Sequence, residues 1–233
     1  MQQIAAPQSS LDIIKTAQDS LVLPLRRPIL FVPFLFALAM LVVMVGVVVF
    51  GTLITWWQGG QVGPQHIVAL CGAAALSILT SILALEMIID LTARAELGME
   101  LDLSAAIAHA VSRFPATLAT TAVMTAAISV GLVLLLIPGL VLMIRWFLAP
   151  NAVLLSGRGV RGALALSWEL TGAHFAPLFG LTLVVGVVTA VISIPLNFIP
   201  VVGQLAAGWL GFAWGGMALA LAYVRLGAPT HLD

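Results

Sequence analysis

Residues 29–55, ILFVPFLFALAMLVVMVGVVVFGTLIT, contain no charged side chain. A helix needs about 20 consecutive apolar residues to cross the hydrocarbon core of a bilayer. This stretch is long enough to cross, and it is longer than the apolar core of a signal peptide. No cleavage site of small residues follows it. We therefore predict a transmembrane helix that remains part of the protein.

The composition extends this prediction to the whole chain. Of the 233 residues, 62% are hydrophobic and only 8% are charged, whereas soluble domains have about 25% charged residues. Nine basic and nine acidic residues cannot cover the surface of a soluble protein of this size. The balanced charge excludes a nucleic-acid binder, and Cys71, the only cysteine, excludes a disulfide scaffold. The composition indicates a polytopic membrane protein.

Five more apolar stretches predict five more spans. None of them alternates apolar and polar residues as a barrel strand does, and only helices otherwise satisfy the backbone in lipid. We expect an all-α protein of six transmembrane helices in three hairpins, each hairpin preceded by a short cytoplasmic amphipathic helix. The predicted segments are an amphipathic N-terminal segment at 1–27, a membrane domain at 28–226 and a tail at 227–233. Its predicted spans are 29–55, 67–91, 116–137, 139–156, 175–196 and 201–224.

The distribution of basic residues predicts the orientation. Cytoplasmic loops are enriched in Lys and Arg. The loop at 56–66, the turn at Pro138 and Gly139, and the loop at 197–203 contain neither residue. We therefore expect both termini to be cytoplasmic. The cations that lie before the first span or after an even-numbered span are Lys15, Arg26, Arg27, Arg94, Arg113, Arg158, Arg161 and Arg225.

A weak repeat underlies the three expected hairpins. Residues 103–113, LSAAIAHAVSR, precede a Phe-Pro pair, residues 160–174, VRGALALSWELTGAH, precede Phe-Ala-Pro, and residues 11–27 resemble a third copy. Helical spacing places one apolar set of each later copy on a single face. Two interpretations remain open: helices lying in the membrane plane, or extensions of the spans that pack on their neighbours. The two sets are Ile107, Val111 and Phe114, and Val160, Leu164 and Trp168.

Two charges in the spans are candidates for a ligand or ion-pair site. A charge near the centre of a span costs roughly 2.5–3.5 kcal/mol. Arg145 is expected near the middle of the fourth span and Glu86 in the inner half of the second. A pair would have to bridge a difference in depth of about 10–15 Å, and snorkelling of each side chain is the alternative. Asn151, after Pro150, is a third candidate beside a helix break.

Small residues and prolines predict local geometry. Pro138 and Gly139 are expected to form the turn between spans three and four, and Pro150 is expected to disrupt span four. Ala207, Gly211 and Gly215 recur every four residues in the last span, which lets a neighbouring helix approach closely. Packing within the chain is favoured over a dimer seam, and the oligomeric state stays open.

The residues that could support catalysis are few. His66, His109, His174 and His231 are scattered, and no metal-binding spacing, P-loop or nucleophile elbow occurs. We predict no metal, no other cofactor and no enzymatic activity.

Residues 137–151, IPGLVLMIRWFLAPN, and 162–172, GALALSWELTG, carry a resemblance to a known architecture. They resemble bacterial integral-membrane families related to the membrane domain of glycerophosphoryl diester phosphodiesterases. The resemblance covers roughly residues 80–225. Members often have an acidic residue after the proline of the fourth span, where this chain has Leu155 and Ser156. The matching positions include Pro138, Gly139, Pro150, Ala163, Leu164, Ser167, Trp168, Leu170, Thr171 and Gly172.

The resemblance implies a role connected with phospholipids. In that family the catalytic residues belong to a separate soluble barrel, so the resemblance does not transfer the phosphodiesterase activity. With this resemblance, we expect a lipid-associated or scaffold protein of the bacterial inner membrane. Its expected partners are membrane phospholipids and a protein on the cytoplasmic face, without nucleic acid. The alternative is a small transporter or channel that uses the broken fourth span with Arg145 and Glu86.

Overall fold

The computed structural model describes residues 12–57, 63–134, 136–198 and 202–232. Residues 1–11 of the predicted N-terminal segment, residues 58–62 and 199–201 of two predicted loops, and Asp233 of the predicted tail lie outside the described residues. The described residues form helices and connections, without a strand. The helices are α1 (Ile13–Arg26), α2 (Phe31–Trp57), α3 (Pro64–Glu96), α4 (Leu103–Leu134), α5 (Leu136–Arg145), α6 (Ala149–Ser156), α7 (Val160–Ala173), α8 (Phe175–Leu196) and α9 (Val202–Arg225), with a 3-10 turn at Pro28–Leu30.

Six helical segments in the described ranges are long and apolar enough to cross a membrane. The predicted class, an all-α membrane protein with six spans, is confirmed. The fourth span is divided into α5 and α6, and the other five are single helices apart from the short turn that opens the first. The segments are Pro28–Trp57, Pro64–Glu96, Leu103–Leu134, Ile137–Ser156, Phe175–Leu196 and Ala206–Arg225.

The bundle has two chemically different ends. One end contains α1, the connections α3–α4 and α6–α7, and the end of α9, with the cations at Lys15, Arg113, Arg158 and Arg225. We name it the basic end. The other end contains the connections α2–α3, α4–α5 and α8–α9, and its described residues include no Lys or Arg. We name it the apolar end.

The first third of α4 differs from the expected separate amphipathic helix. Residues 103–113 are continuous with the span in one helix, Leu103–Leu134, which passes through Pro115. A proline removes one backbone hydrogen bond, and membrane helices tolerate this loss when neighbouring groups compensate. In the first and third copies the break exists, because α1 ends at Arg26 and α7 ends at Ala173. For the middle copy the structure corresponds to the extension of a span.

The expected turn at Pro138 and Gly139 was also misplaced. Both residues lie inside α5, which begins at Leu136, two residues after α4 ends at Leu134. A proline fits the first turn of a helix, where its missing N–H would have no partner. Gly139 instead allows α5 to approach α4 closely, since a Cβ there would lie 2.5 Å from the backbone nitrogen of Leu132.

The densest core lies towards the basic end, around α6 and α9. Leu154, Leu155 and Leu221 have no exposed surface. The Tyr223 hydroxyl is buried with them, hydrogen-bonded to the Ser156 hydroxyl. Ser156 Oγ also donates to the carbonyl oxygen of Pro229 at 2.6 Å, which holds the chain after α9 against α6. Towards the apolar end, α2 exposes most of its described large side chains, as a lipid-facing helix does.

Helix α1 is tied to α3 and α9 by a small ionic network. Arg225 Nη2 lies 2.6 Å from a carboxylate oxygen of Asp19, and its Nε lies 2.7 Å from one of Glu96. The Trp214 indole N–H donates to Ser20 Oγ at 2.7 Å. Ile13 packs on Gly180 of α8, where a Cβ would meet its side chain. The basic end is therefore held by polar contacts between elements that are distant in sequence.

Candidate functional site: a cleft beside the break in the fourth span

The break between α5 and α6 is closed by one side chain from α7. Ser167 Oγ donates to the backbone carbonyl of Arg145 at 2.8 Å and accepts from the backbone N–H of Leu148 at 3.2 Å. Ser167 is fully buried. A broken helix leaves backbone groups without partners, and in lipid each must find one within the protein. Ser167 supplies two of these partners, so α7 and the break form one structural unit.

Arg145 lies at the end of α5, directly against α7. Its guanidinium carbon is 4.9 Å from the centre of the Trp168 ring, a cation–π arrangement. Its Nη1 donates to the Trp168 carbonyl oxygen at 3.3 Å, and the same nitrogen occupies the space that a Cβ at Gly172 would need. None of the described carboxylates forms an ion pair with Arg145. The side chain is half-buried, so part of the cation faces outwards.

An apolar cavity of about 100 Å³ lies between α5, α7 and α8, and Arg145 itself does not line it. Ile144, the residue before Arg145, lines it. Thr171 also lines it, and its hydroxyl is buried without a hydrogen-bond partner among the described residues. The cavity thus combines an apolar wall with one unused hydroxyl, and Arg145 contacts Gly172, the residue that follows Thr171. The remaining lining residues are Leu140, Met143, Phe147, Leu148, Leu178, Phe179 and Thr182.

A second cavity of about 290 Å³ continues along α8 and α9. Phe147 and Thr182 line both cavities, so the two cavities lie next to each other. Gly186 and Gly215 lie on the wall of the second cavity, and a Cβ at either position would have nothing within 4 Å. The two cavities form an apolar cleft, which we name the α5–α8 cleft, in the region predicted to be inside the membrane.

A buried polar cluster lies elsewhere, between α3 and α4. Asp90 is fully buried; one of its oxygens is 2.6 Å from Arg94 Nε and the other is 2.6 Å from His109 Nδ1. Glu86, one turn earlier on α3, is 2% exposed, and both of its oxygens lack a hydrogen-bond partner. The Thr117 side chain of α4 faces this carboxyl group, and its hydroxyl also has no partner. Sequence analysis predicted Glu86 but missed the Asp90–His109 contact.

Glu86 and Arg145 are not brought together. No hydrogen bond or ion pair joins them in the part of the chain that the structure describes. Arg145 contacts α7, whereas Glu86 faces α4. Asn151 is 2% exposed in the first turn of α6, and its side-chain oxygen has no partner. The three candidates therefore belong to separate environments.

The other predicted residues fall into two groups. Ile107, Val111 and Trp168 are exposed, whereas Phe114, Val160 and Leu164 are half-buried. In the last span, Ala207 is buried. Gly211 packs on Thr189 of α8, where a Cβ would lie 2.6 Å from its methyl carbon. Pro150 lies in the first turn of α6, and the break precedes it.

The start of α4 shows the one perturbed acid outside the spans. Ser104 donates to Asp102 Oδ1 from both its hydroxyl and its backbone N–H, each at 2.8 Å. These hydrogen bonds favour the charged form and lower the pKa of Asp102. Asp102 is exposed, so it serves to cap the helix and does not contribute to a buried site.

These features define a six-span, all-α membrane protein with a broken fourth span and an apolar cleft beside the break. Residues 92–224 match the family described as Domain of unknown function (DUF7847), and the chain belongs to this family. The matched region begins near the end of α3 and ends in α9, so it contains the break, the cleft and α7. No curated protein and no solved structure matches the chain.

Proposed function

We propose that the protein is a non-enzymatic, lipid-associated component of the bacterial inner membrane that binds an anionic phospholipid in the α5–α8 cleft. The supporting observation is that the half-buried Arg145 has no carboxylate partner among the described residues, while the residue before it, Ile144, lines the cleft. A phosphate group would meet the outward part of the guanidinium, and the acyl chains would lie along Phe147 and Phe179. The similarity to the membrane domain of glycerophosphoryl diester phosphodiesterases is consistent with this role.

Two further observations support a lipid as the occupant. Tryptophan is enriched at membrane interfaces, and the exposed Trp168 stacks on Arg145. Thr171 offers a hydroxyl donor to an ester carbonyl, because no other described group accepts from it.

With both termini in the cytoplasm, the basic end faces anionic headgroups, which add about 1 kcal/mol per basic residue near the surface. The same face is available to a protein partner.

Retention of phosphatidylglycerol tests the proposal. The protein is released from nanodiscs of phosphatidylglycerol and phosphatidylethanolamine, and the lipid that stays bound is identified by native mass spectrometry. We expect phosphatidylglycerol at fixed stoichiometry. Arg145→Met should weaken retention about 10–100-fold, because hydrogen bonds to a charged group contribute about 1.5–3 kcal/mol. Arg161→Met, which removes an exposed cation of α7, is the control and should change little.

A second pair of variants tests the cleft itself. Gly186→Leu places a side chain in the open space of the second cavity without a collision, so it should displace the acyl chain and leave the fold intact. Gly46→Leu adds the same side chain on α2, where there is also open space but no cleft. If Arg145→Met and Gly186→Leu both retain as much phosphatidylglycerol as wild type, the proposal is wrong.

A further inference from the structure

The α3–α4 cluster contains two carboxyl groups and two basic groups in one buried place. Asp90 contacts both Arg94 and His109, at 2.6 Å each. Glu86 lies one turn deeper along α3. Arg94 is 6% exposed, and its Nη2 is buried without a partner. The cluster is independent of the α5–α8 cleft, and none of its members lines that cleft.

The cluster needs one additional proton to be electrically neutral. Asp90 accepts hydrogen bonds from both basic side chains, so its carboxylate balances the charge of Arg94. An ionised Glu86 would then be an unpaired buried anion, which costs several kcal/mol or more in a medium of low dielectric constant. One proton, placed either on Glu86 or on His109, makes the whole cluster neutral.

The Glu86 carboxyl group and Nε2 of His109 are both available to bind this proton. Both Glu86 oxygens and the Thr117 hydroxyl are buried and without partners, so a protonated Glu86 can donate to Thr117 Oγ1. His109 donates from Nδ1–H to Asp90, which leaves Nε2 available to bind a proton. The His109 side chain is 12% exposed, so it is the member through which the proton can reach water.

Among the residues that the structure describes, no other titratable group belongs to this cluster. Helix α2 and the 3-10 turn, which pack on α3, have no titratable side chain, and neither does α6. On α9, Tyr223 is bonded to Ser156, and Arg225 is paired with Asp19 and Glu96. On α4, Arg113 donates to the carbonyl oxygen of Gly157. The titratable groups of the cluster are therefore Glu86, Asp90, Arg94 and His109.

We propose that Glu86 is the proton-binding residue of a membrane-embedded site that exchanges its proton with the basic end through His109. In the exchange, the O–H bond of Glu86 breaks and an N–H bond forms at Nε2 of His109, while His109 keeps its Nδ1–H bond and still donates it to Asp90. Glu86 becomes an anion as the imidazole becomes a cation, so the net charge of the cluster does not change. Release from Nε2 to water then lowers that charge by one.

Carbodiimide labelling tests this site, because dicyclohexylcarbodiimide modifies protonated carboxyl groups in apolar surroundings. The full chain is reconstituted in nanodiscs, treated across a pH series and mapped by peptide mass spectrometry. We expect an adduct on Glu86 that decreases as the pH rises. Glu86→Gln should abolish this adduct, and Glu100→Gln, which removes an exposed carboxyl from the α3–α4 connection, should leave it unchanged.

His109→Gln distinguishes a proton site from an inert buried acid. A glutamine amide can still donate to Asp90, but it cannot become a cation. Glu86 then binds the only proton of the cluster, and we expect its labelling to persist about 1 pH unit higher or more. No adduct on wild-type Glu86 at any pH would overturn the proposal, as would a pH profile identical in wild type and His109→Gln. Lipid retention is measured separately, so either proposal can fail without the other.

Discussion

The two ends of the bundle are held together by different physical means. Towards the basic end, side chains bond to distant segments: Arg225 contacts carboxylates of α1 and α3. Ser167 bonds to backbone groups at the break in the fourth span. At the apolar end, the described hydrogen bond between side chains of different helices joins His66 and Thr55, within the α2–α3 hairpin. The rest of that end relies on apolar contact and on lipid. A mutation of one type should therefore have very different effects at the two ends.

Replacing one leucine by alanine at each end of the bundle should give the largest difference in the free energy of unfolding. Leu154→Ala, in the fully buried core, should lower the free energy of unfolding by about 2–5 kcal/mol, because it leaves a cavity. Leu53→Ala, with a side chain 55% exposed on α2, should change it by less than about 0.5 kcal/mol. Equilibrium unfolding with SDS in mixed micelles measures both. Equal losses would show that the apolar end is packed as tightly as the core.

A substitution of glycine should test a close contact between α4 and α5 at the apolar end. Gly139→Val forces side-chain atoms into the backbone of Leu132, and overpacking of this kind costs about 1–3 kcal/mol. Gly46→Val, with open space around it, is the control and should be close to neutral. Crosslinking of cysteines placed on α4 and α5 would report whether the hairpin opens. A stable Gly139→Val hairpin would contradict the close approach.

Loss of the ionic network should have the smallest effect of the three. Arg225→Met removes the contacts to Asp19, Glu96 and Thr16. The two carboxylates are partly exposed, at 41% and 27% of their side chains, so solvent screens the pairs. We expect a loss of about 1–2 kcal/mol, together with faster proteolysis of α1. Arg161→Met should affect neither quantity, and release of α1 in that control would remove the network as the cause.

The sequence predicts the spans well and their connections less well. Most span surfaces contact lipid, so each span needs apolar residues within its own stretch of sequence, as in residues 29–55. Contacts between spans are not local: Asp19 and Arg225 are 206 positions apart, and no spacing rule links them. The continuity of α4 through Pro115 was also hidden, because a proline can either break or only weaken a helix.

The sequence predicted candidate residues of the site but not which of them lie together. Arg145 and Glu86 stand out because charges are rare in apolar runs, yet pairing depends on how the helices rotate about their axes. The sequence positions of Asp90 and His109 could have predicted that these two residues are in contact. They lie 19 residues apart across a short connection, which places them at similar depth on antiparallel helices. Thr171 and Thr117 gave no signal, because a threonine hydroxyl usually bonds within its own helix.

The absence of described hydrogen bonds between hairpins at the apolar end has a consequence for bilayers of different thickness. Beyond the extension at 103–113, α4 has 21 residues (114–134), about 32 Å at 1.5 Å per residue, which is close to the thickness of a hydrocarbon core of about 30 Å. The hairpins can change tilt at the apolar end without breaking a described hydrogen bond to one another, while the basic end keeps its contacts. Hydrophobic mismatch is therefore absorbed on one side of the membrane only. The protein should tolerate a change in acyl-chain length while α1, α7 and the fourth-span break keep their geometry.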